Sequence, residues 1–479
     1  MSGETAEDCV ETMNNFKSSG IGSILNLSVE VDLNESELAL QTPVEIRKRF
    51  NANADSVARQ ISTCILTASA LAKSFADIKI TALSSPFLLQ QVSSNLTAFQ
   101  TAFGNLPQDQ NGKISKEEFG QLANLLPGIS CIRGSQNAVV EQLFQEADQD
   151  QDGRVDWVDI AYTVSLNRDE TRSLFAIASK TNASSATIPG HSNDDLDDYR
   201  RLLTRIETLC DQAAATQTRL MIAAEQTYFQ PAIDNLVLHF QEHFNRALGP
   251  DEPLIYNTYQ MYLKDALDRL CRDYTRSQRN GFILAAKLVR GAYMVSERKR
   301  AHELGLPDPI CDGIHATHAS FDAGVDFMLE RIARGQDKGA KEVPSRLPLP
   351  ACSSVVLVVA SHNKDSVIRT CRRMQELGLA PKSSTVMFGQ LTGMCDQVSY
   401  TLARYSYEIY KCVPYGPIHH TVPYLIRRAQ ENSSVLGGVA VECSLIVQEL
   451  RARFVARLSH AQIQTAPAVS ASSTTLMQQ

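Results

Sequence analysis

Polar side chains recur at the ends of short apolar runs, where they could bind a polar cofactor. They are Lys79, Gln260, the segment 287–293, His362 and Gln390. Any one of them could simply cap a strand. In a barrel of parallel strands, however, side chains at the strand ends point into the barrel mouth, which is where such barrels bind their ligands. Five polar ends together therefore predict a bound polar cofactor.

A second polar group lies near the end of the chain, in the segment PYLIRRAQEN. In a helix that begins at Pro423, the side chains of Tyr424, Arg427 or Arg428, and Glu431 share one face. Two adjacent arginines near a helix start are electrostatically unfavourable unless an anion binds there. The pair is well shaped for bidentate binding of a carboxylate. The alternative is two solvated arginines paired with Glu431.

The segment DQDQDGRVDWVD at 148–159 has the spacing of an EF-hand calcium loop. Its expected ligands are Asp148, Asp150, Asp152, the backbone carbonyl of Arg154, Asp156 and Asp159. Because Asp159 is shorter than the usual glutamate, we expect weaker Ca²⁺ binding and relatively stronger competition from Mg²⁺. The partner loop at 107–118 begins with Pro107, which has no side-chain oxygen, so it should bind weakly or not at all. Alternatively, both loops hold helices together without metal.

Eight short β-rich runs, each followed by a segment of helical period, would position these groups. The runs are Ser23–Ser28, Asp77–Leu83, Arg219–Ala224, Leu254–Tyr259, Phe282–Leu288, Val355–Ser361, Thr385–Phe388 and Glu408–Val413. Several later runs are almost continuously apolar, as strands buried on both faces should be. The alternation predicts an α/β fold, specifically a (β/α)8 barrel, with a doubly wound sheet as the alternative.

Four segments follow from this pattern. Residues 1–83 form the first part of the barrel with strands 1 and 2, and 84–197 form a helical EF-hand-like insertion after the second strand. Residues 198–461 form the remainder of the barrel with strands 3 to 8. The tail at 462–479 lacks apolar spacing and is expected to be disordered.

Composition excludes several classes of protein. A formal net charge of −7 argues against a dedicated nucleic-acid binder. The 11 cysteines are never spaced C-x-x-C, which favours free thiols in a reducing compartment. No apolar run is long enough to predict a membrane-spanning helix. The acidic N-terminal segment resembles neither a signal peptide nor a transit peptide. We therefore expect a protein made without a targeting signal, or a processed or truncated form.

Four motifs occur in order, each at the end of a predicted strand: KLVRGAY (287–293), VASHN (359–363), FGQLTGMCD (388–396) and PYLIRRAQEN (423–432). Together they resemble the proline dehydrogenase family, FAD-dependent enzymes with a (β/α)8 barrel. The resemblance runs from about Gly3 to about Arg457. It implies oxidation of L-proline at the C5–N bond to pyrroline-5-carboxylate. It also implies transfer of electrons from FAD to ubiquinone, with peripheral association at the matrix side of the inner mitochondrial membrane.

The resemblance also implies residue roles. Arg427 and Arg428 resemble the pair that binds the substrate carboxylate, Tyr424 and Glu431 order the pocket, and Lys79 lies beneath the substrate. The residues that resemble the FAD-binding set are Gln260, Lys287, Arg290, Gly291, Ala292, Thr317, His362 and Gln390.

Two positions depart from the family pattern. Ala223 stands where members usually have an acid that pairs with the lysine at position 79. Cys412 stands where proline-specific members have a tyrosine over the substrate ring, and hydroxyproline-oxidising members have a small residue. L-Proline remains the expected main substrate. There are two alternatives. One is trans-4-hydroxy-L-proline as the substrate, and the other is a cation-binding family member with impaired catalysis.

Overall fold

The computed structural model describes residues 2–28, 42–71, 74–129, 136–177, 188, 190–246, 252–337, 355–431, 443–444 and 447–455. The chain divides into two units, Met1–Ile426 and Arg427–Gln479. The barrel and the described part of 84–197 both belong to the first unit. The tail predicted to be disordered, 462–479, lies outside the described residues.

The described strands form one closed barrel and one small ribbon. Their bounds are β1 Gly22–Leu27, β2 Phe75–Ile78, β3 Ile114–Ser115, β4 Arg154–Val155, β5 Arg219–Ile222, β6 Ile255–Gln260, β7 Leu284–Val289, β8 Val355–Ala360, β9 Val386–Leu391 and β10 Glu408–Tyr415. The barrel order is β1-β10-β9-β8-β7-β6-β5-β2, with every pair parallel. All eight predicted strands are present, so the barrel is confirmed. Because the sheet closes, the doubly wound alternative is wrong.

Helices alternate with the barrel strands. Their bounds are α1 Val10–Ser18, α2 Pro43–Ser69, α3 Pro86–Gly104, α4 Lys116–Ala123, α5 Gln136–Ala147, α6 Trp157–Thr163, α7 Asp169–Arg172, α8 Asn193–Thr216, α9 Gln230–Phe244, α10 Ala266–Asn280, α11 Met294–Leu304, α12 Ile314–Asp337, α13 Lys364–Glu376, α14 Asp396–Arg404 and α15 Ile418–Glu431. Among the described residues, none of the helices has the length and apolar character needed to cross a bilayer. The nine described cysteines are free thiols, as predicted.

The second strand is shorter than its sequence predicts. It ends at Ile78, and a 3₁₀ helix follows at Ile80–Leu83 instead of further strand. The chain leaves the sheet here because Glu225 binds Thr81: its carboxylate accepts from the Thr81 backbone N–H (3.2 Å) and hydroxyl (2.7 and 2.9 Å). The predicted strand extent to Leu83 is therefore wrong.

The lower end of the barrel is filled by side chains from the starts of the strands. The guanidinium of Arg219 lies 4.1 Å from the ring centre of Phe75 and donates to the Tyr410 hydroxyl at 2.8 Å. Phe75 packs edge-on against Tyr256 and Tyr410, with ring centres 5.1 Å apart in both pairs. All four side chains are buried, so the barrel interior is a packed core at this end.

The segment after the second strand folds as two helix–loop–helix units. The first unit is α3 and α4, the second is α5 and α6, and their loops pair through the antiparallel strands β3 and β4, with Ile114 opposite Val155. Trp157 packs on Phe99 and Phe103 at the base of the two units. This apolar packing holds the two loops side by side.

Candidate active site

The upper rim of the barrel carries Lys79 immediately after β2. The N–H of Ala223 donates to the Ile78 carbonyl at 2.9 Å, which extends the β2–β5 register and places Ala223 beside Lys79. The side chain next to the lysine on β5 is therefore a methyl group.

Lys79, Tyr424, Asn26 and Cys412 lie together at the rim. The Lys79 ammonium lies 5.2 Å from the ring centre of Tyr424, within range of a cation–π interaction. The Asn26 amide donates to the Tyr424 hydroxyl at 3.3 Å and lies 3.8 Å from the Cys412 sulfur. Lys79 and Tyr424 are 9% and 4% exposed, so both side chains are nearly buried. Three residues predicted from the resemblance are thus brought together.

Lys287 reaches across the barrel lumen. Its ammonium nitrogen lies 3.5 Å from the Asp77 carboxylate, although β7 and β2 are separated in the barrel by β6 and β5. The exposed fractions of the two side chains are 14% and 7%. A nearly buried ion pair therefore crosses the barrel just below the Lys79 layer.

Arg290, one residue after β7, lies in a cradle of three neutral hydrogen-bond acceptors, with the Asp322 carboxylate nearby. Its guanidinium donates to His318 Nδ1 (3.0 Å), Ser361 Oγ (2.7 Å) and Ser366 Oγ (2.8 Å), and it lies over the ring of Phe321. Burial lowers the pKa of Arg290, and burial together with the nearby Arg290 charge lowers the pKa of His318. The guanidinium is thus oriented by hydrogen bonds to neutral acceptors, which suits binding of an electron-rich group.

Gly291 allows the chain to pass closely over Tyr262. Its φ is +147°, and a Cβ there would lie 2.3 Å from the tyrosine ring. The next N–H, of Ala292, donates to Gln260 Oε1 at 3.1 Å, and Gln260 Nε2 donates to the Glu225 carbonyl at 2.7 Å. These contacts join the ends of β5, β6 and β7 into one surface. At position 291 of that surface only glycine fits.

The other predicted cofactor residues differ in orientation. His362 Nε2 accepts the N–H of Leu391 at 3.0 Å, so the imidazole lies at the rim beside the end of β9. Gln390 donates to the Ser361 carbonyl and accepts from Ser399 on α14, outside the barrel lumen. The prediction that the Gln390 side chain points into the mouth is wrong. Met387 faces the lumen, and side chains alternate between the two faces of a strand, so a residue three positions later faces outward. Thr317 lies in the first turn of α12, where its hydroxyl donates to the Gly313 carbonyl at 3.2 Å.

Three polar residues of the site region were missed from the sequence. They are Asn26, Asp77 and Lys411, each a polar residue within an otherwise apolar strand. Lys411 is fully buried and faces outward from the barrel; its ammonium donates to the carbonyls of Leu391 and Met394 and pairs with Asp396. It fixes the loop after β9. A charged or amide residue inside an apolar strand was the available signal, because such a group is buried only at a cost.

Helix α15 begins earlier than predicted. It starts at Ile418, so Pro423 lies inside the helix, and Arg428 falls in its last turn. The prediction that the arginines lie near a helix start, and so require an anion, is wrong, since the dipole favours cations at this end. Arg427 and Arg428 belong to the second unit, and the side chain of Glu431 lies outside the described residues.

The acidic loop at 148–159 is bound by the chain's own cations. Asp148, Asp150 and Asp152 have carboxylate oxygens within 4.8 Å of one another. The Lys113 ammonium lies 2.7 Å from Asp150 and 2.5 Å from Asp152, and these contacts lower the pKa of Asp150. The N–H of Arg154 donates to Asp152 Oδ1 at 2.9 Å.

The remaining acids of the loop face the barrel. Arg279 on α10 pairs with Asp156 at 2.6 Å and with Asp159 at 3.0 Å. Asp156 and Asp159 also cap the first turn of α6 by accepting backbone N–H groups. Each predicted side-chain ligand after Asp148 therefore already contacts a protein cation.

Comparison with known proteins identifies the family of this chain. The family model for proline dehydrogenase matches residues 9–440. Human proline dehydrogenase 1, mitochondrial, is 36% identical over 381 residues, an alignment covering 79% of this chain and 60% of that protein. Human hydroxyproline dehydrogenase is 41% identical over 256 residues, covering 53% of this chain and 52% of that protein. The chain thus spans between half and two thirds of the length of these two relatives.

A solved structure agrees with the fold alone. Proline utilization A from Bdellovibrio bacteriovorus, inactivated by N-propargylglycine, superimposes with a TM-score of 0.55 at 13% identity, covering 90% of this chain and 32% of that one. The family model covers far more than half of the chain, and it includes the barrel, the Lys79–Tyr424 pocket and the Arg290 cradle. This chain belongs to the proline dehydrogenase family.

Proposed function

We propose that this protein catalyses the FAD-dependent oxidation of L-proline to pyrroline-5-carboxylate in proline catabolism. The observation that carries the proposal is the joining of two surfaces at one barrel rim. One is the cluster of Lys79, Tyr424 and Cys412, and the other is the Arg290–Gly291–Ala292 cradle. Ligands of parallel barrels bind at this rim.

The donor set of the cradle fits a flavin nucleotide. Arg290 donates to neutral acceptors, and Gly291 lets residues 290–292 pack directly on the Tyr262 ring. Lys287, Gln260, Ala292 and His362 surround the same rim, Thr317 lies at the start of α12, and Gln390 supports the end of β9. FAD, when bound there, supplies the hydride acceptor.

The remaining contribution of the chain is placement of the substrate. We assign binding of the substrate carboxylate to Arg427 and Arg428, and ordering of the pocket to Tyr424 and Glu431. Lys79 lies against the Tyr424 ring, with its ammonium 5.2 Å from the ring centre. Fixing the carboxylate and the ring at once orients C5 of the substrate, and orientation of this kind lowers the barrier without further chemistry by the protein.

Anaerobic titration with substrate tests this function. Purified protein loaded with FAD should lose its yellow absorbance when L-proline is added and regain it with an electron acceptor. Persistent oxidised flavin at saturating L-proline and at saturating trans-4-hydroxy-L-proline would contradict it. That result would favour the alternative, a family member with impaired catalysis.

Hydroxyproline is the second candidate substrate because of Cys412. Its side chain is small and partly buried at the lumen, and the polar amide of Asn26 lies 3.8 Å away. A larger residue there would crowd a hydroxyl on ring carbon C4. We keep L-proline as the main substrate, since a thiol is only a weak hydrogen-bond partner for that hydroxyl.

Cys412→Tyr should shift substrate preference toward L-proline. The phenol would fill the space beside the ring and should lower the relative kcat/KM for hydroxyproline by about 10- to 100-fold, the range for one pocket contact. Both substrates are measured on flavin-loaded protein, with Cys371→Tyr on α13 as the matched control. An unaltered ratio of the two efficiencies would exclude Cys412 as the selector.

We further propose that the electrons pass to ubiquinone and that the protein works at the matrix side of the inner mitochondrial membrane. The relatives named proline dehydrogenase 1 are mitochondrial by name, which supports this location. Peripheral association with that membrane is part of the same proposal.

We also propose that the insertion is EF-hand-like and that its loop 148–159 binds Ca²⁺, or Mg²⁺, weakly. Support comes from the paired helix–loop–helix units and the Asp148, Asp150 and Asp152 cluster. Lys113 lies on two of these carboxylates, so a divalent cation must displace its ammonium.

Lys113→Met should therefore strengthen Ca²⁺ binding about tenfold, because it removes the competing charge but keeps the length of the side chain. Calorimetric titration measures the change, and a single binding event is expected. Lys116→Met is the control: this lysine is equally near in sequence but pairs with Glu141, away from the loop. Equal affinities for the two variants would contradict the competition.

A further inference from the structure

The Asp77–Lys287 ion pair is nearly buried without the full set of hydrogen bonds that usually stabilises such a pair. Within the eight barrel strands the only carboxylates are Asp77 and Glu408, and Glu408 lies at the opposite end of the lumen, at the start of β10. Asp77 is 8% exposed, and its Oδ1 has no hydrogen-bond partner although it lies 3.5 Å from the Lys287 ammonium. Bringing two charges out of water is costly unless hydrogen bonds complete the pair.

A pair that adds little stability points to a role at the site. A buried carboxylate oxygen without a hydrogen-bond partner requires an explanation, and a role in redox chemistry is one of those that apply. Asp77 lies two residues before Lys79, on the same face of β2, and Lys287 enters from the far wall of the barrel. The two lysines and Asp77 thus set the charge of the layer directly beneath the rim.

The neighbouring strands do not duplicate Asp77. Asn26 on β1 and Met221 on β5 are its partners in register, and both are uncharged. Ala223, beside Lys79, is a methyl group. Glu225, the next acid along the chain, is held by Thr81 and lies beyond the end of β5.

We infer that Asp77 is a positioning residue: it orients the Lys287 ammonium across the lumen and supplies the negative charge beneath the flavin that β5 lacks at Ala223. The inference rests on the proposed function, because it requires flavin at the rim. Its consequence is electrostatic. A carboxylate close to the flavin disfavours the added electrons, and an ammonium favours them.

Opposite charges predict opposite shifts of the midpoint potential of bound FAD. Asp77→Asn should favour the reduced flavin about tenfold, which is about 30 mV upward for a two-electron couple, and Lys287→Gln should shift it downward by a similar amount. The double variant should return close to the wild-type potential. Loss of packing alone would move both single variants in the same direction, and that outcome would overturn the inference.

An acid introduced at a second position tests whether the negative charge alone restores the potential. In the Asp77→Asn background, Ala223→Asp should restore the lower potential, whereas the neutral isostere Ala223→Asn should not. If Asp77→Asn fails to fold or to retain FAD, flavin retention by these two double variants is compared instead, and rescue by both or by neither contradicts the inference. If the wild-type protein binds no FAD, the proposed function itself is contradicted. If the flavin-loaded variants have unshifted potentials, only the role of Asp77 is contradicted.

Discussion

Gly291→Ala should abolish stable flavin loading. A Cβ at this position lies 2.3 Å from the Tyr262 ring, and Tyr262 is itself 4% exposed and so has nowhere to move. The backbone φ of +147° is in addition unfavourable for any residue with a side chain. Relief requires displacement of residues 290–292, the segment that carries the Arg290 cradle. We expect a loss of about 2–4 kcal/mol of folding free energy from strain and overpacking together.

Gly305→Ala is the matched control. This glycine also has a positive φ, +63°, but a Cβ there meets nothing within 4 Å. It should cost about 1 kcal/mol and leave the ratio of flavin to protein unaltered. The ratio is read from absorbance after gel filtration, and thermal unfolding gives the stability. Equal flavin content in the two alanine variants would contradict the assignment of 290–292 as the cradle.

Arg428→Met should raise the KM for L-proline far more than it alters flavin binding. Loss of one charged hydrogen-bond partner for a carboxylate costs about 1.5–3 kcal/mol, which corresponds to about a 10- to 150-fold weaker interaction. Methionine keeps most of the length of the side chain, so the loss is mainly one of charge. Steady-state kinetics on flavin-loaded protein measure the effect.

The control for charge is Arg453→Met. Arg453 is 73% exposed and pairs with Glu449 one turn away on its own helix. Its replacement should leave KM and flavin content at the wild-type level. If Arg428→Met behaves in the same way, the carboxylate must be bound elsewhere.

The barrel was predictable because its strands are buried on both faces. Runs such as VVLVVA at 355–360 are apolar at every position, as expected for strands buried on both faces. The end of β2 was not predictable, since Ile80–Leu83 is as apolar as a strand, and the turn there depends on Glu225, 144 residues away. Pro423 misled because α15 begins five residues before it, although proline usually lies in the first turn of a helix.

Residue identity at the site was more predictable than orientation. Gln390 lies at a strand end as expected, but a one-residue change of register moves a side chain to the other face of a sheet, and that register is set by pairing with β8 and β10. Lys113 and Arg279 were missed as partners of the acidic loop because they come from the other loop and from α10. Local spacing specifies which ligands a loop offers, and only the fold decides which cation reaches them.

The side chains that fill the lower end of the barrel, Arg219, Phe75, Tyr256 and Tyr410, close that end and leave the rim as the open end. Every molecule that reaches a flavin held at the rim, including dissolved oxygen, would have to arrive from the rim side. Wasteful transfer of electrons to oxygen would then be governed by the loops and helices that follow the strands, and the barrel wall itself would take no part. Variation in those loops could therefore change how much peroxide such an enzyme releases while the barrel core stays the same.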